Sequence, residues 1–406
     1  MPPPACEFHV SLRRGSRLGR DFDRHCQDGG GRFMKIAALL DPVLRFLLRY
    51  RKRKKRAEGV LLVSSRGPAE MVFLSAVLPR FMRLAKLDES VTLLCRADAA
   101  GMSFLFPRTL KLRRIDFRRL DELEYRWNSF KELFSQHYRL IVSLDYVREH
   151  DQDEALIITA DPAETAGMVP PPFKRNFHQR LEESERVFDL LFDSGPVRQD
   201  KIVRWSRFAD EVLDDRQPPV LALLEDSQLP NAEALSAPTI VLLPFSGVKQ
   251  RMLPAETWRL LADLVPPNWQ VLVAGHKNDF DKNPDYMSLL TQPNVRMETS
   301  GFEKLASTLL GSKLVIGVDT AGLHLAVLLG VPTLCMASAA YVGAGVPYDD
   351  RVVPGNVQFV YVPMECQGCL GRCKFPLEDG MYKCVNAIDT DQVLAFVRDS
   401  VARGVF

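Results

Sequence analysis

Two loops place chemistry-bearing side chains just past the ends of apolar strands. The first lies in Leu314 to Leu334, LVIGVDTAGLHLAVLLGVPTL, where an apolar run ends at Asp319. A turn of small residues, Thr320-Ala321-Gly322, opens a helix carrying His324. Such a turn aims unpaired backbone N–H groups and the positive end of a helix dipole at one point, a cradle suited to phosphate. The Asp319 carboxylate at the strand tip can accept hydrogen bonds from sugar hydroxyls. Taken alone, the segment reads equally as an ordinary strand-to-helix turn with Asp319 as its cap and His324 as a hydrogen-bonded core residue. The second loop lies in Pro244 to Trp258, PFSGVKQRMLPAETW, where Ser246-Gly247 form a turn, Lys249 and Arg251 follow, and Pro254 starts a helix. Two cations there can neutralise a departing diphosphate without a bound Mg²⁺, or they are simply solvated. No GxxxxGK[ST] phosphate loop exists in the chain.

A third cluster is CQGCLGRCKFPLEDGMYKC, with Cys366, Cys369, Cys373 and Cys384. Four thiolates this close suit a tetrahedral Zn²⁺ site; free or disulfide-paired thiols and an iron–sulfur cluster are the other readings. The role is structural in every case, because no His or water-activating carboxylate accompanies the four.

The elements that must position these residues form an α/β pattern. Val60 to Ser64 (VLLVS) is a buried strand, Ser65 to Ala69 a turn and Glu70 to Lys86 a helix, with further strands at Val91 to Cys95 and Leu140 to Asp145. A looser, charged region and a Pro-bearing stretch from Gln217 to Pro238 follow. The alternation then restarts with strands at Thr239 to Leu243, Gln270 to Ala274, Val295 to Met297, Lys313 to Val318 and Thr333 to Met336, and with helices at Ala255 to Leu264 and Phe302 to Leu310. This predicts two Rossmann-like doubly wound domains, 58–230 and 231–406, facing across a cleft lined by the carboxyl ends of their strands.

Composition narrows the class. At 406 residues, 46% apolar and 26% charged, the chain is globular and long enough for two cores. Six of its 53 basic residues sit in Arg51 to Arg56; without them 47 face 51 acidic residues, a net of −4. Basicity this local argues for one attachment point on an anionic surface and against a coat for nucleic acid. Leu39, Leu40, Val43, Leu44, Leu47 and Leu48 precede the block at helical spacing. Residues 34–57 therefore read as a basic amphipathic segment, either lying on anionic lipid or packed on the body. An arm for nucleic acid is the weaker reading of the block. Residues 1–33, with Pro2-Pro3-Pro4 and Gly29-Gly30-Gly31, are expected to be a disordered extension, and Met34 could equally begin the protein. No apolar run approaches the roughly 18–20 residues of a spanning helix, and no ordinary secretory signal is present, so a cytoplasmic location is expected.

The succession KQRMLPAETW, a strand ending in Gly275, GFEKLASTLLGSKLVIGVDTAGLHLAVLLGVP and a closing CVNAI resembles the heptosyltransferases of lipopolysaccharide assembly, glycosyltransferase family 9. That resemblance implies the GT-B arrangement, with an acceptor held by the N-terminal domain and a nucleotide-sugar such as ADP-heptose held by the C-terminal one. It also implies inversion at the anomeric centre with no cofactor required. Asp319, Thr320, Ala321 and Gly322 would meet the donor sugar and diphosphate, with His324 on the helix behind them. Arg251 falls where the family has a donor-binding lysine, and Lys249 is its substitute if Arg251 is not used. The family's Gly-Asp pair reads Ala69-Glu70 here, which puts Glu70 at the position of the catalytic base. Alanine at 321, where the family commonly has glycine, is tolerable only if its φ is negative. The acceptor would be a lipid-linked saccharide at the inner face of a bacterial cytoplasmic membrane, and no nucleic-acid partner is expected. The competing reading is a saccharide-binding or scaffold protein that keeps the fold and has lost the base.

Overall fold

The structure is a computed structural model that describes residues 37–172, 177–221, 224 and 229–403; the expected extension 1–33 lies outside them. Runs of branched and aliphatic residues buried on both faces form its central strands. The strands in all are β1 (Val60–Ser64), β2 (Val91–Arg96), β3 (Lys111–Ile115), β4 (Leu140–Ser143), β5 (Glu164–Met168) and β6 (Leu190–Phe192) in the first half. The second half has β7 (Thr239–Leu243), β8 (Gln270–Ala274), β9 (Val295–Glu298), β10 (Leu314–Val318), β11 (Thr333–Met336) and β12 (Val357–Val360). The spatial orders are β3-β2-β1-β4-β5-β6 and β12-β11-β10-β7-β8-β9. Every pairing is parallel. The two orders are one topology used twice, and in each the chain reverses direction of growth between the first and fourth strands. Crevices at those two reversals are where ligands of such sheets bind.

Several boundaries differ from the sequence reading. The first long helix spans Pro68–Met82 rather than 70–86, because Gly67 caps it and Pro68 supplies a preset φ at its first position. β4 stops at Ser143, and the chain curls away so that Asp145 can bond the tip of β1. β3, β5, β6 and β12 were not anticipated: β3 reads KLRRI and is largely solvent-facing, as charged edge strands are.

The halves meet through the helices that follow β1 and β10, Pro68–Met82 and Ala321–Leu328. The Phe73 ring lies 4.4 Å from that of His324 and 5.8 Å from that of Tyr348. One apolar core runs from Val72 and Phe73 through to Leu243 and Leu323. The cleft is what this packing leaves open at the helices' N-terminal ends.

The helix Asp41–Leu48 of the basic segment is packed on the body, the second of its two expected places. Its inner face buries Leu44 and Leu48 against Ile115, Phe117 and Phe130. Asp41 there accepts from Arg126 Nε at 2.6 Å and Nη2 at 2.5 Å, with Arg126 wholly buried. Its outer face is apolar as well, leaving Val43, Phe46 and Leu47 exposed, with Leu39 and Tyr50 flanking the helix at 76% and 75% exposure beside exposed Lys52, Lys55 and Arg56. Arg53 instead ion-pairs with Asp161. Among the described residues no helix is long and apolar enough to cross a membrane. Replacing Asp41 with alanine strands the buried Arg126 charge, and urea melts should show a loss of about 3–5 kcal/mol, partly recovered by also making Arg126→Met.

Candidate active site

In the first half, the β1 tip is pinned before the site is built. Asp145 accepts from Ser64 Oγ at 2.8 Å, Ser65 N at 2.7 Å and Ser65 Oγ at 2.8 Å. That fixes the turn leading into Pro68–Met82 and puts Glu70 in the helix's first turn. A second helix, Lys201–Leu213, is capped by Asp200, which accepts from Ile202 N and Val203 N and, across the halves, from Asp349 N at 3.3 Å. Lys201 Nζ donates to Glu70 Oε1 at 2.7 Å and stands 5.5 Å from the Phe73 ring centre. Burial works to raise the Glu70 carboxyl, but the charge and hydrogen bond of Lys201 outweigh it and leave the group below its ordinary value.

In the second half, Ser246 Oγ accepts from Val248 N, tightening the turn after β7. A single 3₁₀ turn, Lys249–Arg251, then sends its two cations to different sides. Arg251 turns inward, ion-pairs with Asp319 and lies 4.7 Å from the Tyr341 ring centre. Lys249 is exposed and is not among the residues that line the cleft. The other Asp319 oxygen is 3.0 Å from His324 Nε2, and His324 Nδ1 is 2.7 Å from the Tyr348 hydroxyl. Burial alone would raise the Asp319 carboxyl; the hydrogen bond and charge of His324, then Arg251 and Lys201, hold it down at about 2. Ala321 opens its helix outside the left-handed region, so alanine is tolerated there. Gly322 serves packing, since a Cβ on it would lie 3.2 Å from Leu243.

These groups enclose a cavity of about 520 Å³ between the halves, lined among others by Glu70, Lys201, Ser246, Arg251, Asp319 and Thr320. Ala321 and His324 also reach it, whereas Gly322 lines an adjoining cavity of about 260 Å³ with Phe245, Glu298 and Thr320. On the other side a space of about 200 Å³, bounded by Arg66, Glu70, Lys201 and Trp205, opens into the first half. The trough thus holds one ion pair from each half. Two helix N-termini, at Pro68 and Ala321, also face it with backbone N–H groups that the helices cannot use. Arg251 Nε is buried with no partner. A buried guanidinium donor without an acceptor is costly unless a ligand supplies one, and an anion does so best.

Lys201, Tyr341 and Tyr348 went unrecognised in the sequence. Lys201 did leave a trace: a lysine directly after a helix-capping Asp opposes the helix dipole and calls for a nearby anion.

The cysteine segment docks beside the site, with Gly368 N and Leu370 N donating to Ala339 O and Ala340 O, each at 2.8 Å. Leu370 reaches the cleft. All four thiols are free. The thiols stand within reach of one another, Cys366 hydrogen-bonding with Cys373; among the described residues no group of three or more His, Cys, Asp or Glu side chains is arranged to hold a metal ion.

Residues 173–353 match the profile of glycosyltransferase family 9 (heptosyltransferase). Among solved structures, E. coli ADP-heptose lps heptosyltransferase II aligns over 85% of this chain and 99% of its own, at a TM-score of 0.63 and 13% identity. The family 9 glycosyl transferase from Veillonella parvula aligns over 87% and 100%, at 0.63 and 13%. E. coli heptosyltransferase WaaC with ADP-2-deoxy-2-fluoro heptose aligns over 84% and 99%, at 0.61 and 14%. The likeness to the family 9 heptosyltransferases is thereby shown. Its two sheets form the GT-B fold of those heptosyltransferases. No curated protein matches the chain by sequence.

The depressed Asp319 carboxyl makes a stability prediction. A group held at about 2, against an ordinary 3.8, contributes its stabilisation above the ordinary value and loses it as pH falls through the lower one. The stability gap between wild type and Asp319→Asn, read from urea melts, should be widest at neutral pH and shrink steadily between about pH 4 and pH 2.

Proposed function

We propose that the protein is an inverting glycosyltransferase that moves a heptose-like sugar from a nucleotide-diphosphate donor of the ADP-heptose type to a lipopolysaccharide or related lipid-linked saccharide. The observation that carries this reading is the pair of facing ion pairs, Glu70–Lys201 and Asp319–Arg251, at the carboxyl ends of two parallel sheets. The diphosphate lies against Arg251 and the N–H groups of Ala321 and Gly322, with Ser246 and Thr320 at its edge. The nucleoside fills the cavity beside Phe245 and Glu298. Asp319 orients Arg251 and keeps free lone pairs for a sugar hydroxyl.

In a single displacement the acceptor hydroxyl oxygen attacks the anomeric carbon from the face opposite the diphosphate, which inverts the centre. Glu70 takes the hydroxyl proton as the new C–O bond forms. The old bond to phosphate breaks, its electron pair leaves on the diphosphate oxygen, and the charge gathering there meets Arg251 and the helix N-termini. These groups act through protein charge and dipoles, so the proposed chemistry calls on no cofactor.

The acceptor brings the enzyme to a membrane. The apolar outer face of Asp41–Leu48 and the exposed cations beside it suit the inner face of the cytoplasmic membrane, where apolar insertion and attraction to anionic lipid add.

Glu70→Gln should lower heptose transfer from ADP-heptose to heptose-free lipopolysaccharide by about 10²–10⁴-fold while the ADP-induced rise in melting temperature persists. A silent Glu70→Gln, with no transfer by wild type, would make the protein a saccharide-binding scaffold. In flotation assays, wild type should bind phosphatidylglycerol vesicles and the double variant Phe46→Glu/Tyr50→Glu should lose most of that binding. Equal binding by both would remove the helix from the membrane contact.

A further inference from the structure

Glu70 can act as a base only if its carboxylate is held still and held ionised; its own backbone N–H and the charge of Arg66, four residues upstream, work toward the second. Residue 70 sits in the first turn of a helix whose cap, Gly67, has no side chain. A glutamate has one more rotatable bond than the aspartate expected at this position. Freedom in that bond moves the oxygens by on the order of 1 Å, a misplacement that can cost about a hundredfold in rate.

Lys201 answers this from another element. Its ammonium takes Glu70 Oε1 at 2.7 Å. The ammonium also lies 5.5 Å from the centre of the Phe73 ring, one turn further along the same helix as Glu70. Its backbone is fixed by the Asp200 cap, which is in turn bonded to Asp349 of the second half. Lysine at the start of a helix is unfavourable toward the dipole, so its place there is explained by what its side chain holds. Lys201 also lies at the junction of the central cavity and the space that opens into the first half, as Glu70 does. The cation and the carboxylate therefore stand together where donor and acceptor would meet.

We propose that Lys201 is the positioning residue of the reaction: it grips one oxygen of Glu70 and so fixes the other for the acceptor hydroxyl. The inference rests on the proposed role of Glu70. It assigns diphosphate binding to Arg251 and leaves Lys201 out of it, although Lys201 is the other cation lining the cavity. Lys201 also acts against the burial that would raise the Glu70 carboxyl. Removing it should move the acid limb of the pH–rate profile upward.

The experiment measures heptose transfer from ADP-heptose to heptose-free lipopolysaccharide, across pH, for wild type, Lys201→Met, Lys201→Arg and Glu70→Gln, with ADP affinity by calorimetry for each. Lys201→Met should lower kcat by about a hundredfold, shift the acid limb up and leave ADP affinity within about twofold. Lys201→Arg should recover the wild-type limb and much of the rate. A Lys201→Met profile with an unmoved acid limb overturns the proposal, as does a loss of ADP affinity of tenfold or more, which would make Lys201 a phosphate ligand. Wild-type turnover in Glu70→Gln overturns the role of Glu70 and is told apart by that variant alone. Should wild type not use this donor and acceptor, ¹³C NMR titration of the Glu70 carboxyl decides. An unchanged midpoint in Lys201→Met overturns the grip, and a raised one supports it.

Discussion

Charge is balanced pairwise across the cleft. Each half presents one carboxylate and one cation at the carboxyl end of its sheet, Glu70 with Lys201 and Asp319 with Arg251, so the empty trough is close to neutral. A neutral trough lined with ion pairs is tolerable to bury, where four unpaired charges would not be. On the proposed reading it is also poised, since a diphosphate would meet a guanidinium with an unpartnered Nε and two helix N-termini. In that proposal the anion need not displace an existing partner to be held, and the pair in the first half would stay available for proton transfer.

That arrangement depends on how the two halves are joined. Packing Pro68–Met82 against Ala321–Leu328 sets the distance between Glu70 and Asp319, since each carboxylate lies within a turn of one of those helices. Phe73 and His324 form the contact itself, and His324 also ties Asp319 to Tyr348. The residue that fills the interface thus belongs to the same hydrogen-bonded chain that sets the charge of the site. Loss of packing there would be felt as loss of alignment as well as of stability.

Much of this was visible in the amino-acid sequence, for physical reasons that differ by element. β1, β7 and β10 are buried on both faces and read as unbroken apolar runs, so their ends, and with them Asp319 and the loop to Arg251, could be located. β3 is a charged edge strand, β5 is the small-residue run ETAGM and β6 has three residues; none carries the apolar signal that marks a strand. Lys249 and Arg251 looked equivalent because a sequence does not show which side of a 3₁₀ turn faces inward. Lys201 and Tyr348 come from a helix and a loop that only tertiary packing brings to the site. Glu70 was singled out by resemblance alone.

The most direct measurement is a crystal structure of the protein with an unreactive ADP-heptose analogue. The account predicts the diphosphate against Arg251 Nε and the N–H groups of Ala321 and Gly322, with the anomeric carbon open toward Glu70. An analogue seated away from the Asp319–Arg251 pair, or with its anomeric carbon turned from Glu70, would contradict it.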